Sequence, residues 1–207
     1  MKVKILSLIL LMCIFGSCAS KYRKINPQSL TYTKGASNEK IDFEYRYDLL
    51  NKKYAKKEGK SSIRLVSVKL TNNTDENLTF GQDFNLKTTS GRDINPVPLN
   101  SVYNEIKQGE AIYFLYLLLT FTRLNISETN SSGGYTEVKT KSYPIGLAIG
   151  PGIALGNFFG ARGANKNFKK DLMTYDLNYK SIKPGETIYG LVGIYANQYE
   201  GLEVNFK

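Results

Sequence analysis

Hydrophobic and polar positions change rhythm three times along this chain. From Ile41 the period is two: "IDFEYRYDLL" sets Ile41, Phe43, Tyr45 and Tyr47 against Asp42, Glu44, Arg46 and Asp48, the mark of a half-buried strand. "NKKYAKKEGKS" breaks the run with charge and Gly59, and "SIRLVSVKLTNN" then supplies a second strand through Ile63, Leu65, Val66, Val68 and Leu70. Leu78 and Phe80 open a third strand, Phe84 and Leu86 a fourth, and a short strand stops at Pro96 after a turn at Ser90–Gly91. Near the C-terminus the same period returns: a Pro184–Gly185 turn, a strand from Thr187 to Tyr195, and a last strand through Leu202, Val204 and Phe206. Gly190 and Gly193 inside a strand predict a bulge or a close backbone approach.

Between these two β-patterned parts the period of two is lost. Ala111 to Phe121 is uncharged, "NISETNSSGGYTEVKTKS" reads as a polar loop, and Pro144 to Ala161 is again uncharged. Pro151 is acceptable in a first helical turn, so a helix is expected from about Pro151 to Tyr175. On it Ala148, Gly152, Gly156, Gly160 and Ala164 recur every fourth residue and share a face. Glycine inside a helix costs about 1 kcal/mol relative to alanine, and close helix packing against Ile112–Leu124 is the expected return. The prediction is an apolar helical hairpin inserted over about 99–178. It has three open placements: core against the sandwich, contact with a bilayer, or an oligomer contact through the glycine stripe.

The N-terminus has a third pattern: Lys2 and Lys4, an apolar run Ile5–Phe15, then Gly16, Ser17 and Cys18. This is a secretory leader, and its run is too short to span a bilayer. "FGSC" resembles the bacterial lipobox, with Phe15 where leucine is usual. The resemblance implies cleavage after residue 17 and a lipid on Cys18. Cys13 would leave with the leader, so no intramolecular disulfide is possible. The residues that follow, 18–40, are polar and basic and predict a flexible tether before the globular part at 41–207. Lys21, Arg23 and Lys24 place positive charge beside lipid headgroups.

The strand, Asn-rich turn and Ser-Gly turn of "VSVKLTNNTDENLTFGQDFNLKTTSGRDI", with the Pro-Gly turn and Gly-containing strand of "IKPGETIYGLVGIYANQYEGLEVNF", resemble the immunoglobulin-like domains of uncharacterised bacterial lipoproteins. That resemblance covers about 63–95 and 182–206. It implies a mainly β fold, an antiparallel immunoglobulin-like β-sandwich carrying the α insertion, and brings no catalytic residues. The 152–164 spacing is similar to the glycine-zipper helices of some outer-membrane lipoproteins.

Charge and chemistry narrow the function. With 28 Lys and Arg against 18 Asp and Glu the formal charge is +10. In an exported, lipid-anchored chain this charge either reflects only a composition rich in Lys and Asn, or faces anionic lipid or cell-wall polymer rather than nucleic acid. The chain has no histidine, so the commonest general base and metal ligand is absent, and after lipidation no thiol nucleophile remains. "GPGIALG" lacks the Lys-Ser/Thr pair of a phosphate loop, and "DENLTFGQD" reads as a turn rather than a calcium loop. No catalytic residue, cofactor or metal site is expected. The expected function is a non-enzymatic binding or assembly module of the cell envelope, with a protein or cell-wall partner. The alternatives are an envelope hydrolase acting on glycan or peptide, and a purely structural lipoprotein. Some surface-displayed lipoproteins carry acidic residues just behind the cysteine, and the resemblance is to the other kind. The basic residues here favour an outer-membrane position facing the periplasm.

Overall fold

The computed structural model describes residues 18–36, 39–132 and 135–207. The expected leader, 1–17, lies outside the described residues. The chain divides into two units: a larger one, Ser20–Gln108 with Ala164–Lys207, and a smaller one, Met1–Ala19 with Gly109–Gly163. The insertion is therefore narrower than 99–178.

The larger unit is mainly sheet. Strands β1 (Thr33–Lys34), β2 (Ile41–Arg46), β3 (Ile63–Asn72) and β10 (Thr187–Tyr195) form an antiparallel sheet in the order β1-β2-β3-β10. A second sheet has the order β11-β5-β6, from Leu202–Phe206, Phe84–Thr88 and Asp93–Ile94. The short strands β4 (Leu78–Thr79) and β9 (Ser181–Ile182) pair with each other. Alternation sends Ile41, Phe43, Val68 and Leu70 from the first sheet and Phe84, Leu86, Leu202 and Val204 from the second into one buried cluster. Gly190 and Gly193 mark close approach: a Cβ on Gly193 would stand 3.2 Å from the Val97 carbonyl oxygen, and one on Gly190 would meet the Leu177 side chain. Gly91 and Gly185, at the expected turns, have φ of +89° and +70°.

Two short helices belong to this unit. Helix α1 (Lys52–Lys60) occupies the stretch expected only as a charged break. Tyr54 and Glu58, one turn apart, are its buried side, and the surrounding lysines hid that period. Helix α2 (Leu99–Ile106) buries Leu99, Val102 and Ile106. They meet Tyr54, Leu65, Leu191, Ala164, Phe168 and Leu172 in a second cluster. The last three come from helix α3 (Gly146–Thr174), which belongs to the smaller unit as far as Gly163. Pro151 lies within α3, which starts five residues before the expected point.

The smaller unit is no helical hairpin of the expected kind. Ala111–Phe121 is a run of 3-10 turns. The stretch expected as a loop pairs as two nine-residue antiparallel strands, β7 (Leu124–Ser132) and β8 (Tyr135–Tyr143). Their Ser, Thr and Val content suits a strand, but the alternation is of polar with polar and gives no hydrophobic period to read.

Candidate functional site

Cys18 is exposed, and the chain behind it is held from the next residue onward. In the smaller unit the Ala19 N–H donates to Asn157 Oδ1 at 2.6 Å, while Asn157 Nδ2 donates to the Ile153 carbonyl one turn back along α3. In the larger unit Gln108 clamps the backbone of Ser20 from both sides: Ser20 N–H donates to Oε1 at 2.9 Å and Nε2 donates to Ser20 O at 2.6 Å. The Asp171 carboxylate then accepts both the Tyr22 hydroxyl (2.8 Å) and the Ile25 N–H (2.9 Å). Burial, reinforced by Asp171, pushes the Tyr22 phenol well above its ordinary range and keeps it a donor. Its ring packs edge-on to Tyr54 and tilts against Phe168 at centroid distances of 5.3 and 5.4 Å.

This corrects the expectation of a flexible tether over 18–40. Ile25 and Pro27 are buried, Tyr22 is half-buried, and Thr33–Lys34 is a sheet strand. Three anchors spaced irregularly in a polar segment leave no period to detect. The buried Asp171, 146 residues beyond Ile25, holds two of them, Tyr22 and Ile25. Lys21, Arg23 and Lys24 are exposed, as a membrane-facing role needs.

The smaller unit exposes many of its apolar side chains. Ile112, Leu115, Leu118 and Phe121 of the 3-10 run, and Leu147, Leu155 and Phe159 of α3, are all exposed, Phe121 to 83%. In the larger unit the large exposed apolar side chains are Met173 and three tyrosines, Tyr179, Tyr195 and Tyr199. Among the described residues no helix is long and apolar enough to cross a membrane.

Helix α3 and the 3-10 run pack closely, but not through the expected stripe. A Cβ on Gly146 would collide with the Leu119 carbonyl, and one on Gly150 would stand 2.6 Å from Thr120 Oγ1 and 2.8 Å from Thr120 N. Ala154 and Ala161 are buried on α3. A Cβ on Gly152 or Gly156 would meet nothing within 4 Å, and one on Gly160 would make ordinary contact with the Ala19 methyl. Ala148 is exposed as well, so of the expected five only Ala164 is buried, in the larger unit. The packed register is Gly146–Gly150–Ala154, two residues out of step with the stripe at 148, 152 and 156. Both registers contain small residues at a spacing of four, so spacing alone could not choose between them.

In the larger unit a cleft of about 650 Å³ is lined by Asn85, Asn95, Asn100, Asn178, Tyr179 and Asp176 together with Gly81, Pro96, Pro98, Leu99, Met173 and Lys207. Tyr179 has φ +59°, a conformation that bulky residues avoid, and its ring is exposed. Asn85 Oδ1 is buried with no hydrogen-bond partner. Asp176 is the one carboxylate side chain lining this cleft, and its Oδ1 already accepts from Asn178 N and Nδ2. Among the described residues no three His, Cys, Asp or Glu side chains gather as a metal site. Comparison with known proteins finds no family, no curated protein and no solved structure that matches this chain.

Proposed function

We propose that this chain is a lipid-anchored protein of the cell envelope, acylated at Cys18, that works as a non-enzymatic binding or assembly module. Its larger unit is a β-sandwich of immunoglobulin-like kind, and the anchor holds it at the outer membrane, facing the periplasm. The observation that carries the reading is the coincidence of two features in the smaller unit. The residue offered for acylation is there, and so are the exposed leucines, isoleucines and phenylalanines. With Ala19 tied to Asn157, an acyl chain on Cys18 brings the smaller unit to the bilayer without a spacer. The exposed apolar side chains then leave water by entering the interface, each contributing up to about 1.5–3 kcal/mol on full burial. Lys21, Arg23 and Lys24 add attraction for anionic headgroups. The association is that of a protein lying on a membrane. The binding side of the module is the amide-lined cleft, whose asparagines and exposed Tyr179 suit the hydroxyls and faces of a cell-wall glycan.

The test is flotation of full-length protein carrying Cys18→Ser with vesicles containing anionic lipid. Binding without acylation, lost roughly tenfold or more when Leu118 and Phe121 are both changed to Asp, supports the reading. Binding that depends on the lipid alone, indifferent to those two positions, overturns it. For the cleft, Tyr179→Ala is expected to lower co-sedimentation with insoluble cell-wall glycan. An unchanged yield refutes that assignment.

A further inference from the structure

The ribbon of β7 and β8 differs from the other two-stranded sheet, β4 with β9, which buries Leu78 and Ile182. Every described residue of both strands is exposed. Among the described residues neither strand has a second neighbour, so each presents a nine-residue free edge. An isolated two-stranded ribbon is marginal in water, and an uncovered straight edge is a template for another strand. Neither strand contains proline, and β7 carries a single charged residue, Glu128, whereas β8 carries Glu137, Lys139 and Lys141.

We infer that the ribbon is an assembly element, in which the free edge of β7 in one copy of this chain pairs with the free edge of β8 in the next. The occupant is a second copy because the complementarity is already on view inside one chain. In the observed register Glu128 stands opposite Lys139 and Leu124 opposite Tyr143. Ser127 and Thr140 bond through their hydroxyls at 2.9 Å, and Ser131 and Thr136 do so at 3.4 Å. A neighbouring copy offers β7 the same β8 surface. The Lys139 ammonium pairs with Glu137 on its own strand at 3.4 Å, and repeating the register sets each Glu128 opposite a Lys139 on both sides and continues the hydroxyl rows across the interface. The other face of the ribbon, with Asn125, Ser127, Thr129, Val138 and Thr140, carries no charge to oppose the approach. The two surfaces that meet are different, so the contact is head to tail and generates a closed ring or an open filament. This inference stands apart from the membrane reading and needs no lipid.

Two variants of the full-length chain that each add one cysteine, Ser127→Cys and Thr140→Cys, test it under mild oxidation, with wild type reporting any background from Cys13 and Cys18. Opposed Cα atoms in an antiparallel pair lie about 4.5–5.5 Å apart, within the span a disulfide bridges. Mixing the two variants is expected to give a mixed dimer well above that of either variant alone. Equal cross-linking of Ser127→Cys with itself overturns the head-to-tail geometry. Cross-linking to foreign protein in its place overturns the choice of occupant. Absence of any cross-link above wild type overturns the inference altogether. As a second readout by native mass spectrometry, Glu128→Lys should lower the oligomer fraction by roughly fivefold for each charge pair reversed, and Glu128→Lys with Lys139→Glu should restore it. An oligomer population unmoved by Glu128→Lys counts against the inference.

Discussion

The two units handle apolar side chains in opposite ways. In the larger one Phe43, Phe80, Phe84 and Phe168 are fully buried, and the large residues left at the surface are Met173 and tyrosines whose hydroxyls remain wet. In the smaller one Phe121 and Phe159 are largely exposed, Tyr113 is the buried residue of the 3-10 run, and the ribbon hides nothing. A chain that can bury phenylalanine in one place and leaves it in water in another has a surface meant for something other than water. The lesson is that composition alone does not separate core from interface.

The contrast breaks most sharply at two phenylalanines of α3. Phe168→Ala removes a side chain in ring contact with Tyr22, Tyr54 and Tyr103, and is expected to cost about 3–5 kcal/mol in urea unfolding. Phe159→Ala, at a position 60% exposed, is expected to change stability by no more than about 0.5 kcal/mol while lowering vesicle binding. Equal losses at the two positions would erase the distinction between the units.

Asp171→Ala leaves the Tyr22 hydroxyl and the Ile25 N–H without their acceptor, at about 1–3 kcal/mol. Faster tryptic cleavage at Lys21, Arg23 and Lys24 measures the release. A cleavage rate equal to wild type would mean that the strap is held by something else. Glycine substitutions on α3 sharpen the comparison within the smaller unit. Gly150→Leu drives a side chain into Thr120 and is expected to destabilise by about 1–3 kcal/mol. Gly156→Leu enters open space and is expected to gain up to about 1 kcal/mol from helix propensity. Thermal melts in which Gly156→Leu is the worse of the two would restore the stripe as the packed face.

The smallest effect is a pH slope in the larger unit. Burial raises the Glu58 carboxyl above its ordinary value of 4.5, although the Leu65 N–H donated to its Oε1 and the nearby Arg64 both pull the other way. The folded chain therefore holds this proton more tightly than the unfolded one. The contribution is complete below the unfolded pKa and is lost as pH rises through the folded one. Glu58→Gln is expected to flatten the fall in stability above pH 4.5. An identical slope in both proteins would assign it to other groups.

Much of the larger unit was legible in the order of residues. Thr187–Tyr195 and Leu202–Phe206 are strands with the expected bounds, because alternation against one core is a local signal. Gly190 and Gly193 do mark close approach. Helix α1 was missed because two buried residues among lysines are too few to set a period. The ribbon was missed because a strand with no buried face has no alternation to show. At the candidate site, Cys18, Lys21, Arg23 and Lys24 are exposed. The fixation of the strap was invisible, since Asn157, Gln108 and Asp171 meet it only through folding.

What the order of residues determined by itself is local: where strands alternate, where turns need glycine, and that a long uncharged stretch rich in small residues becomes helix. Tertiary structure alone decided which small residues touch a neighbour, whether the polar segment behind Cys18 hangs loose or is tied down, and which apolar side chains stay in water. The reason is physical. Period and turn chemistry are properties of a few consecutive residues, whereas burial and the pairing of a buried carboxylate depend on groups brought together from opposite ends of the chain.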